Sequence, residues 1–261
     1  LLATSCSPPR RPQASPVRLR LVVAPSAARL AERLGQEYGA REANVQLEAS
    51  ADDADAALDA VATGQADLAL VEREVEPIEK QDPDDGHPRL RSWPLASDGL
   101  AVVVHPTNPV RSLTFDQLRR AFSGEERDWS HLGGGQGTIQ VVSREPEAPA
   151  RVAFERAVLP AKRVAQTAVV MPSDRAVADY VAKNPAAIGY LSLASVPGGV
   201  KVIGVDGVLP APVTVASGAY PLSRALVLVT PIPLPGKARA LVDFIFSADG
   251  QRIVAELYAL P

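Results

Sequence analysis

The sequence predicts an α/β fold in which mostly parallel strands form sheets that are covered by helices. Short apolar strands alternate with helical segments over residues 17–71, and the same alternation returns after residue 113. The composition is that of a globular protein, because 46% of the 261 residues are hydrophobic and 22% are charged. A chain of this length and composition can form one large domain or two small lobes with well-packed cores.

The first elements follow a strand-helix-strand order. Residues 17–23 alternate Val and Leu with Arg, which is typical of a strand, and residues 27–38 place two leucines one helical turn apart. The next predicted elements are a strand at 45–48, a helix at 53–62 that ends before Gly64, and a strand at 66–71. In a parallel sheet of this kind, ligands bind at the carboxyl ends of the strands, where helix N-termini point.

The rest of the chain continues the pattern after a loop rich in Asp, Pro and Gly at 81–88. An apolar strand at 100–104 is long enough to bridge two lobes. Further helices are predicted at 113–122, with Ser112 or Thr114 as the cap, at 148–158, at 173–183 and over most of 237–257. Further strands are predicted at 139–143, 187–191 and 226–229, and a glycine-rich turn at 133–137.

Charge and motifs exclude several classes of function. The net charge of −3, without a run of Lys or Arg, excludes nucleic acid as a partner. His87, His105 and His131 lie far apart and have no cysteine partner, so no metal site is predicted. There is no Gly-x-Ser-x-Gly motif and no candidate nucleophile. The sequence therefore predicts a protein that is not an enzyme, with no catalytic residues and no cofactor.

The N-terminal segment has the features of a bacterial lipoprotein signal. The single cysteine, Cys6, follows small residues that are preceded by leucines, as at the cleavage point of such a signal. We expect the chain to begin inside that signal and Cys6 to carry lipid. The alternative is a free cysteine in an unstructured terminus. Residues 7–16 contain several prolines and no apolar period, so we expect residues 1–16 to be a signal remnant and a flexible tether.

Eight segments of the chain resemble the phosphate-binding periplasmic proteins of ABC importers. They include Asp98-Gly99-Leu100, which begins the first segment, and Ser223-Arg224, which ends the seventh. They occur in the family's order and are residues 98–109, 113–118, 122–124, 129–134, 187–193, 207–210, 217–224 and 244–251.

The resemblance implies a two-lobed fold of the type II periplasmic binding proteins. Lobe 1 would comprise residues 17–102 and 222–261, and lobe 2 residues 103–221, joined by two crossing hinge strands. Hinge closure would clasp a ligand between the lobes. The protein would be a monomer in the periplasm, or at the outer face of a bacterial membrane, anchored through lipid on Cys6. Its partners would be a small anionic solute and the membrane subunits of an ABC importer.

The resemblance also implies four places that supply hydrogen-bond donors to an oxyanion, which needs several such donors when no metal is present. The first is the turn after the first strand, where Ser26 is the one hydroxyl. The second is residues 52–55, before a helix. The third is Glu72-Arg73, where the family has a Ser-Arg pair. The fourth is residues 144–151, where Arg144 and Arg151 flank Ala148-Pro149-Ala150 in place of Ser-Gly-Thr.

These changes remove hydroxyl and amide donors and introduce carboxylates. Asp52, Asp53 and Asp55 would be ordinary capping residues at a helix start. Alternatively, by facing Arg73, Arg144 or Arg151, they would suit a cationic or zwitterionic ligand, or close a pocket that no longer binds. The sequence leaves these alternatives open.

Two functional hypotheses follow. The first is a solute-binding lipoprotein that delivers phosphate or a related oxyanion to an ABC importer. Its predicted ligand-binding residues are Ser26, Arg73, Asp98, Arg144 and Arg151, with Asp98 either accepting a hydrogen bond from a protonated ligand or making a hinge contact. The second is a protein that has kept the fold, lost phosphate, and serves as a sensory or interaction module or binds another small solute.

Overall fold

The computed structural model describes residues 16–73, 75 and 89–261, which form ten strands and eight α-helices. The strands are β1 (Val17–Val23), β2 (Val45–Ala51), β3 (Leu68–Val71), β4 (Arg89–Val104), β5 (Ser112–Leu113), β6 (Gln140–Arg144), β7 (Val169–Met171), β8 (Ala187–Ser192), β9 (Lys201–Val205) and β10 (Ser223–Ile232). The helices are α1 (Ala28–Arg41), α2 (Ala54–Ala62), α3 (Phe115–Ser123), α4 (Pro149–Val158), α5 (Asp174–Val181), α6 (Pro212–Ala216), α7 (Gly236–Ile245) and α8 (Ala248–Ala255). Within the described residues, three short 3₁₀ turns occupy 25–27, 129–132 and 193–195.

The ten strands form one mixed sheet. Eight of them follow the order β2-β1-β3-β10-β4-β8-β6-β7, while β9 pairs with β4 and β5 pairs with β9. The pairs at its two ends are parallel, as predicted: β1 with β2 and β3, and β6 with β7 and β8. The strands in the middle are antiparallel, because β10 runs against both β3 and β4, and β4 runs against β8. The parallel ends therefore place the carboxyl ends of β1, β3 and β6 in positions to carry ligand contacts.

Strand β4 is the structural link between the two ends of the sheet. The predicted strand at 100–104 is its second part, which pairs with β8 and β9. Its first part pairs with β10 over residues 89–99, and the register shifts at Pro94, where Leu226 is opposite Ala96 and Val227 is opposite Pro94. A bulge accommodates proline because proline cannot donate a ladder hydrogen bond. This bulge lets the strand extend through a sequence that predicted only its apolar half.

Helices cover both faces of each half of the sheet. In the first half, one apolar cluster packs α1, α7 and α8 against one face, and a second cluster packs α2 against the other. In the second half, the larger cluster includes α3 and α4, and a smaller one packs α5 on the opposite face. The buried residues of the first half fall at 19–96 and 226–258, and those of the second at 100–222, with Ala259 in addition.

Most predicted elements match the structure within a few residues. Thr114 is the cap of α3, in a capping box with Gln117, and Ser112 belongs to β5 instead. The helix predicted over most of 237–257 is two helices, α7 and α8, because Ser247 caps a new helix by accepting from the Gly250 amide. The short elements β5, β7, β9 and α6 were not predicted. No helix among the described residues has both the length and the apolar character needed to cross a membrane.

Candidate functional site

A cavity with a volume of about 1490 Å³ lies where the first and second halves of the sheet meet. All four segments that the sequence analysis assigned to anion contact line it. They contribute residues 24–26, 52–55, 72–73 and 144–150. Further lining comes from the start of α5 and from Ser97, Ser195 and the start of β10. Residues that lie up to about two hundred positions apart in sequence therefore surround one space.

The topology explains this convergence. Ala24 follows β1, Glu72 follows β3 and Arg144 ends β6, so three carboxyl strand ends of the parallel regions reach the cavity. The N-termini of α2, α4 and α5 reach it too, because Ala54, Pro149 and Asp174 begin those helices and line the wall. Helix N-termini carry unpaired amides and a positive dipole end, which favour negative charge.

A buried ion cluster forms the floor of the cavity on the side of β3, β4 and β10. Arg224 donates from Nε and Nη2 to Asp98 Oδ2 at 3.0 and 2.9 Å, and its Nη2 lies 2.8 Å from Glu72 Oε1. The side chains of Arg224, Glu72 and Asp98 are at most 4% exposed. Ser26 Oγ donates to Glu72, and Ser192 Oγ donates to Asp98 Oδ1 at 3.0 Å. One guanidinium thus stands between two carboxylates.

The burial of this cluster shifts its titrations. Desolvation raises the pKa of Glu72 to about 7; nearby Arg224 opposes this rise and Asp98 adds to it. The pKa of Asp98 is also raised, because its burial outweighs the attraction of Arg224. Burial alone would lower the pKa of Arg224, but Glu72 and Asp98 hold it above its ordinary value, so the guanidinium stays charged. The carboxylates therefore share the one positive charge, and Glu72 takes up a proton near neutral pH.

The third guanidinium nitrogen of Arg224, Nη1, is open to the cavity. Arg224 Nη1 has no hydrogen bond to the described residues. None of the side-chain nitrogen or oxygen atoms described is both fully buried and unpartnered, and Arg224 lines the cavity. Nη1 is therefore accessible from the cavity, as a donor held in place by the rest of the cluster.

On the opposite wall, Arg144 is held by Asp174 and by backbone carbonyls. Its Nη1 donates to Asp174 Oδ1, its Nε to the Met171 carbonyl at 3.2 Å, and its Nη2 to the Pro172 carbonyl at 3.0 Å. Asp174 also accepts from the Ser192 amide at 3.1 Å. The Arg144 and Asp174 side chains are 15% and 11% exposed. On this wall Arg144 is therefore paired one to one with Asp174.

The three helix N-termini differ in their caps. Asp53 caps α2 by accepting from the Ala56 amide, and Ser173 caps α5 by accepting from the Ala176 amide. The start of α4 has no side-chain cap, because Ala148 precedes it and Pro149 is its first residue. Its first-turn amides are therefore the ones left for an anion at this wall.

Comparison with known proteins identifies the fold. A family model described as a PBP superfamily domain matches residues 10–249. The chain belongs to the PBP superfamily. A Clostridium perfringens protein with bound phosphate, provisionally assigned as a phosphate ABC transporter substrate-binding protein, is 27% identical and has a TM-score of 0.83; the match covers 93% of this chain and 98% of that one. This confirms the two-lobed fold predicted from the sequence.

Other relatives of the chain are also phosphate-binding or phosphate-transport proteins. An ABC-type phosphate transport receptor from Vibrio cholerae is 27% identical with a TM-score of 0.72, over 94% of this chain and 100% of that one. The phosphate-binding protein PstS of Bacillus subtilis is 29% identical over 161 residues. That alignment covers 61% of this chain and 53% of the relative, so the match spans about half of the curated protein's length.

The PBP cleft of this protein carries more negative than positive side chains. Seven carboxylates line it, those of Asp52, Asp53, Asp55, Glu72, Glu145, Glu147 and Asp174. Five arginines line it, Arg73, Arg144, Arg156, Arg175 and Arg224. An anion that enters therefore meets an excess of negative charge unless a carboxylate is protonated.

Of the ligand-binding residues expected from the sequence, Ser26, Arg73 and Arg144 line the PBP cleft, whereas Asp98 and Arg151 do not. Asp98 belongs to the ion cluster of the floor but does not line the cavity, because it is fully buried against Arg224. Arg151 turns away: its Nε donates to Glu155 and its Nη1 to the Arg144 carbonyl at 3.0 Å, so it supports the backbone under Arg144. Cys6 lies outside the described residues.

The sequence did not predict three charged features of the PBP cleft. These are the presence of Arg224, the presence of Asp174, and the burial of the Glu72 carboxylate in an ion cluster. Arg224 sits in an otherwise apolar strand, which was the available signal. Asp174 gave no signal, because an acid in the first turn of a helix is ordinary. The described residues contain no group of three or more side chains suited to holding a metal ion.

Proposed function

We propose that this protein is the substrate-binding component of an ABC importer, and that its cleft captures a small oxyanion, phosphate or a close chemical relative. The observation that supports this most is the convergence of all four expected anion-contacting segments on one cavity. Its relatives, which include phosphate-binding proteins and a protein whose structure contains bound phosphate, support the same ligand class. Its role is binding and delivery, not catalysis.

The donors proposed for the anion lie on both sides of the cleft. On one side they are the Ser26 hydroxyl and Arg224 Nη1. On the other they are Arg144 and the uncapped first-turn amides of α4. Because lobe 1 (17–102 and 222–261) and lobe 2 (103–221) each supply part of this set, we propose that an anion stabilises the closed arrangement of the lobes. Arg73 and Asp98 are proposed to act at the rim and beneath the floor, and Arg151 through the backbone of Arg144.

We further propose that the protein works as a monomer outside the cytoplasmic membrane, tethered by lipid on Cys6 and serving membrane subunits of the importer. The small residues before Cys6 and the proline-rich segment after it support this. Metabolic labelling with a fatty-acid analogue should mark the wild-type chain and not a Cys6→Ser variant. Equal labelling of both would contradict the anchor.

Thermal unfolding with added phosphate tests the binding proposal. Phosphate at a hundred times its dissociation constant should stabilise the protein by about 2.7 kcal/mol and raise Tm by several degrees. Arg144→Met should reduce this shift. Arg175→Met is the matched control, because Arg175 also lines the cleft but its side chain is 76% exposed. Absence of any shift at millimolar phosphate would contradict phosphate as the ligand.

The negative excess of the cleft favours a second candidate, a small cationic or zwitterionic solute. Seven lining carboxylates against five arginines would attract a ligand amine, and a volume of about 1490 Å³ exceeds what phosphate needs. The same unfolding experiment with amino acids, organic acids and polyamines separates the two. A shift with an amine-bearing ligand and none with phosphate would favour this candidate.

A further inference from the structure

Glu72 occupies the centre of the cleft floor. It follows β3 directly, lines the cavity and is 4% exposed. Its carboxylate accepts from Ser26 Oγ and lies 2.8 Å from Arg224 Nη2. The floor thus already contains an anion, and that anion is part of the protein.

Titratable groups on several neighbouring elements surround Glu72. Arg224 on β10 attracts its charge; Asp98 on β4 and Asp174 at the start of α5 repel it. The phenol of Tyr258, after α8, donates to the Ser26 carbonyl at 3.1 Å, and the pKa of that phenol is raised by burial and by Asp98 and Glu72. Arg73 is committed to Asp55 at 2.5 Å on the exposed side. Among the described residues around Glu72, the buried guanidinium of Arg224 is therefore shared with a second carboxylate, that of Asp98.

An ionised Glu72 obstructs an incoming oxyanion in two ways. It keeps the Ser26 hydroxyl as its own donor, so that hydroxyl is not available to a ligand. It also places a negative charge 2.8 Å from Arg224 Nη2, on the same guanidinium whose Nη1 is the donor open to the cavity. Like charges in a site of low dielectric cannot both remain ionised at close range without a large cost.

Resting on the proposed capture of an oxyanion, we propose that Glu72 determines the specificity of the cleft by binding its ligand together with a proton. Ionised Glu72 is an internal anion that holds Ser26 and Arg224. When Glu72 takes a proton from solvent, Ser26 is released, the charge beside Arg224 disappears, and the carboxyl O–H becomes a donor to the incoming oxyanion. At a pH well above the pKa of Glu72, each oxyanion therefore enters with about one proton added to the protein.

The burial of Glu72 supports this independently of its contacts. Desolvation raises the pKa of Glu72 to about 7, so the protonated form is populated at neutral pH. Because Glu72 lines the cavity, solvent protons reach it without passing through the core. Above this pKa, the fraction of protein with a protonated Glu72, the form that binds the oxyanion, falls tenfold for each pH unit. The apparent dissociation constant rises in proportion.

Calorimetric titration of phosphate into wild type and Glu72→Gln, at about pH 6 and about pH 8, tests the proposal. The ratio of the wild-type dissociation constant to that of Glu72→Gln should rise about tenfold between the two pH values. Phosphate itself also titrates in this range, but both proteins meet the same phosphate, so the ratio isolates Glu72. Glu147→Gln is the matched control: Glu147 lines the same cavity but is exposed, and that variant should keep the wild-type pH dependence.

Infrared difference spectroscopy of wild type provides a second measurement that needs no variant. Adding phosphate at about pH 8 should produce the C=O band of a protonated carboxyl group. An unchanged affinity ratio at the two pH values, or the absence of that band on phosphate binding, would overturn the role of Glu72 while leaving phosphate capture intact. Absence of phosphate binding by both proteins at both pH values would overturn the proposed function and this inference with it.

Discussion

The two walls of the cleft, the floor formed by the buried ion cluster and the opposite wall that carries Arg144, balance their charges in different ways. On the wall of β3, β4 and β10, Arg224 is buried between Glu72 and Asp98, and the carboxylates outnumber the guanidinium. On the wall of β6 and α5, Arg144 is matched one to one with Asp174, is partly exposed, and also donates to two backbone carbonyls. On the first wall, the balance of charge depends on burial and on whether Glu72 is protonated. On the second wall, it depends on the hydrogen bonds of Arg144, and water can also solvate the ion pair.

The difference teaches that an arginine in a cleft cannot be assumed to carry free positive charge. Arg73, Arg144 and Arg224 all line the cavity, and each is paired with a carboxylate. What a ligand meets is the balance that remains after these pairs form. If burial, and not the mere presence of a pair, sets the energy of each pair, substitution should cost most at Arg224, less at Arg144 and least at Arg73.

The largest effect is expected for Arg224→Met. Removing the guanidinium leaves Glu72 and Asp98 buried together without a positive partner, which should lower the free energy of unfolding by about 3–5 kcal/mol. Urea denaturation at a pH of about 8 measures this. A loss below about 1 kcal/mol would show that the carboxylates relax to water, and would contradict the burial of the cluster.

The next effect is the pH dependence of stability that Glu72 contributes. Its pKa is raised from 4.5 to about 7 in the folded protein, so the folded state holds a proton that the unfolded state has lost between these values. Stability must then fall as pH rises through this window and level off above it. Between about pH 5 and pH 8, wild type should lose about 2–3 kcal/mol more than Glu72→Gln does.

Urea denaturation of both proteins across this range measures the difference. Glu145→Gln serves as the control, since Glu145 is an exposed carboxylate of the same cleft. Parallel stability curves for wild type and Glu72→Gln would show that Glu72 stays ionised in the folded protein.

A smaller effect is expected for Arg144→Met. Asp174 would lose its charged partner but keep the Ser192 amide at 3.1 Å and some contact with water. Three donated hydrogen bonds are lost, but Met171 is only partly buried and Pro172 is exposed, so water can replace the donor at those two carbonyls. The loss of the charge-assisted hydrogen bond to Asp174 should then lower the free energy of unfolding by about 1.5–3 kcal/mol. Thermal unfolding without ligand measures it. A loss as large as that of Arg224→Met would erase the contrast between the two walls.

The smallest effect is expected for Arg73→Met. The Arg73 and Asp55 side chains are 44% and 86% exposed, so water and salt screen their ion pair. Exposed pairs of this kind contribute at most about 1 kcal/mol. Thermal unfolding in low and high salt measures it, and the small difference between variant and wild type should shrink as salt is added. A change above about 2 kcal/mol would show a role for Arg73 that its exposure does not indicate.

The sequence predicted the regular elements well where apolar periodicity was long. The helices α1, α2, α4 and α5 and the strands β1, β6 and β8 lie within a few residues of their predicted places. It failed where an element is short or depends on a partner. The first half of β4 contains Pro94 and alternating charges, and it is a strand because β10 supplies the opposite ladder and a bulge absorbs the proline. Propensity alone cannot show such a partner.

For the site, the sequence determined which segments line the cleft. It determined this because strand ends and helix starts can be read from periodicity and from resemblance to a family. Only the tertiary structure decided which charges meet: Glu72, Asp98 and Arg224 are separated by up to 152 positions and come together through the pairing of β10 with β3 and β4. It also decided which of them is buried. The energy of a charge depends on its solvent and its neighbours, and neither is a property of the residue alone.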